Sequence, residues 1–143
     1  GSTVATGEAD IDVSTADYTS YQALLTIAPI AGGPIKDVEV LLDLSKAVTG
    51  FGTIAGYAAI TLTLALQRKV DGTNWRLDNQ DILAGITGTN AAGTHAKFTV
   101  GTVGPTEQVR VVAKVTAESS DVEFPYAVYY KGPAPTITAV AAV

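Results

Sequence analysis

The chain has 143 residues and no cysteine, with 14 acidic against 9 basic side chains and a formal net charge of −5. That length fits one domain with a proper core, the missing thiols exclude disulfides and thiolate metal sites, and the acidic balance argues against a broad phosphate-binding surface. Apolar residues make up 47% and charged residues only 16%, a composition of folded rather than disordered chains.

Before Ser45 the acids are Glu8, Asp10, Asp12, Asp17, Asp37, Glu39 and Asp43, against Lys36 alone. Nucleic acid and membrane are therefore not expected partners, although Lys97, Arg110 and Lys114 are candidates for a small basic patch. No apolar run reaches the ~20 residues of a membrane helix, and no basic-then-apolar leader opens the chain. Gly1-Ser2, in a chain without methionine, reads either as a scar of tag removal or as a processed natural N-terminus.

In "GEADIDV", residues 7–13, Glu8, Asp10 and Asp12 alternate with Ala9, Ile11 and Val13, so a strand places the acids on one face. Three aligned carboxylates raise a calcium site, but the loop spacing that wraps such an ion is missing, and a solvated strand face is the reading. Next, "YQALLTIAPI" at 21–30 predicts a strand with Tyr21, Ala23, Leu25 and Ile27 on one side and Pro29 at an edge or at its end. "AGGP" follows as a turn. Residues 36–45 predict a half-buried strand with Val38, Val40, Leu42 and Leu44 inward, and Leu41 outward among Asp37, Glu39 and Asp43.

Gly50, Gly52 and Gly56 argue against a helix over 46–58, and "GFGTIAG" lacks the spacing and lysine of a phosphate-gripping loop. The clearest strand is 59–70, with Ile60, Leu62, Leu64 and Leu66 opposite Thr61, Thr63, Ala65 and Gln67. Asp71-Gly72 then predicts a tight hairpin reversal, with Asp71 accepting turn hydrogen bonds and Trp75 packing across the hairpin. Asp78, Asn79, Gln80 and Asp81 either reach an ion or sugar or cap a turn.

His95, the single histidine, excludes a multi-histidine metal site within one chain and opens a strand carrying Ala96, Phe98 and Val100. Val109, Val111, Ala113 and Val115 define the core side of the next strand, opposite Arg110, Lys114 and Thr116, with Val112 interrupting the pattern. In the last hairpin Val122, Phe124, Tyr126, Val128 and Tyr130 share a face, and Pro125 again predicts an edge. The apolar tail "APTITAVAAV" predicts packing against a neighbouring subunit, as an added edge strand.

These seven or eight strands, with no strand–helix repeat, predict an all-β fold: an antiparallel β-sandwich of jelly-roll or immunoglobulin-like topology. The expected division is an arm or first strand at 1–20, the sandwich at 21–132 and an extended tail at 133–143. Removing 133–143 is expected to leave a folded domain while weakening assembly.

The order "VEVLLDLSKAVTG", "ITLTLALQRKVDGTNWRL", "EQVRVVAKVTAESSDVEFPYAVYY" resembles small virion proteins of tailed bacteriophages over residues 36–130. The resemblance implies a head decoration protein on the capsid surface, a homo-oligomer such as a trimer, which bridges capsid subunits and needs no cofactor. Glu8, Asp10 and Asp12, with Ile137, Val140 and Val143, are then the candidate assembly contacts. No nucleophile elbow accompanies His95 and nothing pairs Asp71, Asp78, Asp81, Glu107 and Glu118 for glycosidic chemistry, so no enzyme is expected. The alternative is a carbohydrate-binding or surface-adhesion module using Trp75, Asp78 and Asp81, with Tyr57, Tyr129 or Tyr130 beside them.

Overall fold

A computed structural model describes residues 3–11, 20–30, 33–43, 62–86, 95–115 and 122–140, with the backbone alone at 10–11, 62, 77–86, 95, 115 and 122–123. The glycine-rich stretch 46–58, Asp12 and Val143 lie outside the described residues. Nine strands are present among them: β1 (Thr3–Ile11), β2 (Gln22–Ala28), β3 (Ile35–Asp43), β4 (Leu62–Lys69), β5 (Trp75–Ile86), β6 (His95–Val103), β7 (Gln108–Val115), β8 (Val122–Lys131) and β9 (Thr136–Ala139).

They form two antiparallel sheets, ordered β1-β8-β3-β6 (sheet A) and β5-β4-β7-β2-β9 (sheet B). The pairs β4·β5, β3·β6, β2·β7 and β1·β8 are nested in sequence and fall alternately in sheet B and sheet A. The turn after Lys69 is thus the innermost loop of the whole nest.

Both sheets contribute to one cluster of buried side chains, because period-two alternation sends every second residue to the same side. From sheet A come Ala9, Val38, Val40, Leu42, Phe98, Phe124 and Val128; from sheet B come Leu24, Leu25, Ile27, Leu64, Leu66, Val109, Val111 and Ala113. The inward faces read for β3, β4, β6, β7 and β8 agree with this wherever side chains are described.

Three local expectations are corrected by the register. Ala23 and Leu25 do not share a side: the β2–β7 pairing shifts between them, Leu24 is buried as well, and Ala23 stands opposite Val112 on the other face. Pro125 is not on an edge strand, because β8 lies between β1 and β3. It sits opposite Glu8 of β1 and one residue before Tyr126, where the β3–β8 ladder ends, so its missing amide hydrogen breaks no bond to β3. The hairpin loop is also longer than a two-residue reversal: Lys69 pairs with Trp75, leaving 70–74 as the connection.

Val112 is not a lapse in the pattern. It pairs with Ala65, and both are buried together with Thr63, yet none belongs to the core cluster. Sheet B is therefore excluded from water on both faces around this pair, which accounts for apolar residues of both parities in β7.

Arg68 has the parity of Leu64 and Leu66 and points inward at the end of β4. Its Nη1 donates to the Thr102 carbonyl at 2.8 Å and its Nη2 to the Val100 carbonyl at 3.0 Å, tying sheet B to β6 of sheet A. Glu107 lies 3.5 Å from the same guanidinium and accepts the Gly104 amide at 2.7 Å, closing the β6–β7 turn.

The tail segment adds β9 to β2 of the same chain, with Ile137 opposite Ile27 and Ala139 opposite Leu25. Ile137 and Ala139 pack against the core cluster, and the Val140 amide donates to the Leu24 carbonyl at 3.1 Å. The other strands are therefore not complete without it: β9 covers a β2 edge that would otherwise present unpaired backbone groups.

Candidate functional site

At the β4–β5 tip, Gly72 adopts a φ of 78°, a left-handed conformation that glycine reaches without a Cβ clash. Asp71 organises the loop as its side chain chemistry dictates. Its Oδ1 accepts the amides of Thr73 at 2.9 Å and Asn74 at 2.7 Å, and its Oδ2 accepts Asn74 Nδ2 at 2.9 Å. The Asn74 amide first, then the Asn74 side chain, the Thr73 amide and the charge of Arg76, hold the Asp71 carboxyl well below the usual carboxylate range. Because the folded value is depressed, the stabilisation is complete above the unfolded value of about 3.9 and is lost as pH falls through the folded value. In a carboxyl-detected NMR titration, Asp71 should titrate below the free-peptide value, and Asn74→Ala should move its midpoint upward. A midpoint near the free-peptide value in the intact chain would refute this account.

Trp75 follows directly and is half-buried. The Arg110 guanidinium lies over its ring at 4.1 Å from the centroid and the Lys69 ammonium at 5.0 Å. Gln67 Oε1 accepts Arg110 Nε at 2.8 Å, so Arg110 is held from two directions. Partial burial lowers the Arg110 pKa, and the guanidinium stays charged. Further along the same face, Lys114 stands 4.8 Å from the Tyr21 ring centroid. The indole packs across the hairpin, as its position predicts, and also reaches across β4 to a cation on β7.

The small basic patch does not form as expected. Arg110 and Lys114 share a face of β7, whereas Lys97 is on β6 in the other sheet and pairs with Glu39 at 3.6 Å. Charge order along the sequence carries no information on which sheet a strand joins.

The outer face of sheet A has a different chemistry. Leu41, Pro125, Ala127 and Tyr129 are half-buried side by side, since Leu41 pairs with Ala127 and Glu39 with Tyr129. Val4, opposite Tyr129 on β1, is 49% exposed. Two depressions open on this surface. One, of about 260 Å³, is lined by Leu41, Asp43, Pro125, Tyr126, Ala127 and Tyr129. The other, of about 370 Å³, lies between Glu39, Thr99, Tyr129 and Lys131, near the Asp37–Lys131 ion pair at 3.0 Å. The strip was legible only in part, as an outward Leu41 among acids; its partners come from β8, some 85 residues later.

Among the sequence-derived candidates, Glu8 is exposed on β1, and Asp10 pairs through its backbone with Glu123. Asp78 and Asp81 lie within β5 rather than in a loop, their side chains outside the described residues, as is Tyr57. Tyr130 is a core residue, 6% exposed, while its neighbour Tyr129 faces outward. Ile137 and Val140 are half-buried on or beside β9. Among the described residues no three His, Cys, Asp or Glu side chains converge as a metal site. Compared with known protein families and with characterised proteins, the chain matches no family model and no characterised protein.

Proposed function

We propose that the two sheets face one another across the shared core as a jelly-roll sandwich, and that the chain is a non-catalytic virion protein that binds and stabilises a phage capsid shell. The nested strand pairs support the first part. An eight-strand antiparallel ribbon folded at the β4–β5 tip and rolled up produces the order β1-β8-β3-β6 against β5-β4-β7-β2, with β9 as an added edge.

Jelly rolls serve capsids and lectins alike, so the function rests on a surface rather than on the topology. The observation that carries it is the strip of Val4, Leu41, Pro125, Ala127 and Tyr129 on the outer face of sheet A. An apolar strip with Glu39, Asp43 and Lys97 beside it suits a protein neighbour, where an aromatic anchor and a charged rim divide affinity and orientation between them. Bridging two shell subunits through it stabilises the assembled shell by mass action. A sugar platform at Trp75 needs an open indole face, and Arg110 stacks on that ring.

The test is co-sedimentation with empty shells of the cognate phage. Leu41→Asp and Tyr129→Asp should each reduce shell occupancy by about tenfold or more, the scale of losing one well-packed contact. Their melting temperatures should stay close to that of the parent chain, because both side chains face away from the core. Shells that fail to bind the parent chain, or that bind both variants equally, would remove this reading.

A further inference from the structure

The geometry points to a carboxylate-binding site on the outer face of sheet B, built from Arg110, Lys69 and Trp75, which takes an acidic side chain of a protein partner. It is separate from the apolar strip of sheet A and stands without the shell-binding reading.

The first observation is the company these cations keep. Among the described residues, no carboxylate lies within ion-pair distance of Lys69, Arg110 or Lys114, although the chain has 14 acids to 9 bases. Aromatic rings hold them instead: Trp75 holds Arg110 and Lys69, and Tyr21 holds Lys114. A ring face fixes a cation without neutralising it or consuming its hydrogen-bond donors.

The second observation is how Arg110 is presented. Its Nε donates to Gln67 Oε1 at 2.8 Å and its guanidinium carbon lies 4.1 Å from the indole centroid, so the side chain is held at two points. The two Nη groups remain as a planar fork on a half-exposed side chain. That fork matches the two oxygens of a carboxylate, and pre-ordering removes much of the rotamer entropy that binding otherwise costs. Lys69, on the same indole, adds a second positive charge within a Debye length of the fork.

The third observation selects the partner class. A dense polyanion meets the whole −5 field of the chain, which opposes its approach beyond the first contact. A short acidic protein segment carries few charges and meets mainly the local cluster, within about a Debye length. The fork and the overall charge together therefore favour a protein acid over a nucleic acid or sulfated glycan.

The experiment titrates the full chain with the acidic heptapeptide Gly-Glu-Ala-Asp-Ile-Asp-Val, following the Arg110 Nε and Trp75 indole NMR signals. Parallel titrations use sodium acetate, a single-stranded oligonucleotide and a sulfated oligosaccharide. The peptide should shift both signals saturably, more tightly than acetate, and 0.5 M salt should suppress the effect. Arg110→Gln should weaken binding about tenfold or more, and Arg110→Lys nearly as much, since a point charge does not replace the fork. Unchanged dispersion elsewhere in each variant's spectrum confirms that it is folded. Equal binding by Arg110→Gln, silent Arg110 and Trp75 signals, acetate as tight as peptide, or Arg110-dependent preference for either polyanion would each overturn the proposal. Shells play no part in this measurement, so its failure and that of the shell-binding reading are distinguishable.

Discussion

Phe98→Ala is expected to lower the free energy of unfolding by about 3–5 kcal/mol, the range for deleting a buried phenylalanine and leaving a cavity. Phe98 is fully buried on β6, opposite Val40, in the cluster that both sheets share. β6 is an edge strand of its sheet, with β3 as its neighbour there, so few elements are positioned to collapse into the void. A domain of this size is stable by only about 5–15 kcal/mol, so the variant should show a large fall in the urea midpoint at an unchanged slope. Val4→Ala, at a residue 49% exposed, provides the contrast and should change stability by less than about 0.5 kcal/mol. A Phe98→Ala midpoint close to that of Val4→Ala would mean that the shared core does not hold the sheets together.

Arg68→Met is the second large effect, at about 2–4 kcal/mol. Methionine keeps most of the apolar stem but removes the donors that satisfy the Val100 and Thr102 carbonyls and the charge beside Glu107. The Arg68 side chain is only 15% exposed and Glu107 only 27%, so water compensates poorly for what is lost. Adding Glu107→Gln should recover part of the loss, because the uncompensated carboxylate is then removed. A double-mutant cycle should therefore give a coupling above about 0.5 kcal/mol. Additive effects with no coupling would show that the two side chains act independently. The same variant should also loosen the β6–β7 turn, which Glu107 closes through the Gly104 amide.

Arg68 also shows where reading by pattern stopped. Its parity with Leu64 and Leu66 marked it as inward, but a charged residue at a strand end is ordinarily assigned to solvent. Its acceptors lie on β6, more than 30 residues later, and nothing local announces them. The Arg110–Trp75 stack was hidden for the same reason: the two residues meet only because β4 lies between β5 and β7. The Asp71 loop was legible because its bonds are made within three residues.

What the sequence by itself determined was most of the strands, though not the run of β5 from Asp78 to Ile86, and, in most strands, which side chains turn inward. Alternation of apolar and polar residues is a local property, and a strand expresses it whatever its neighbours are. Tertiary structure decided the sheet to which each strand belongs. It placed Pro125 inside sheet A, separated Lys97 from Arg110, buried Val112 against Ala65, and laid the tail along β2. Those outcomes depend on register and on pairings between distant segments. A period of two tells a residue its side of the sheet but not its neighbour across it.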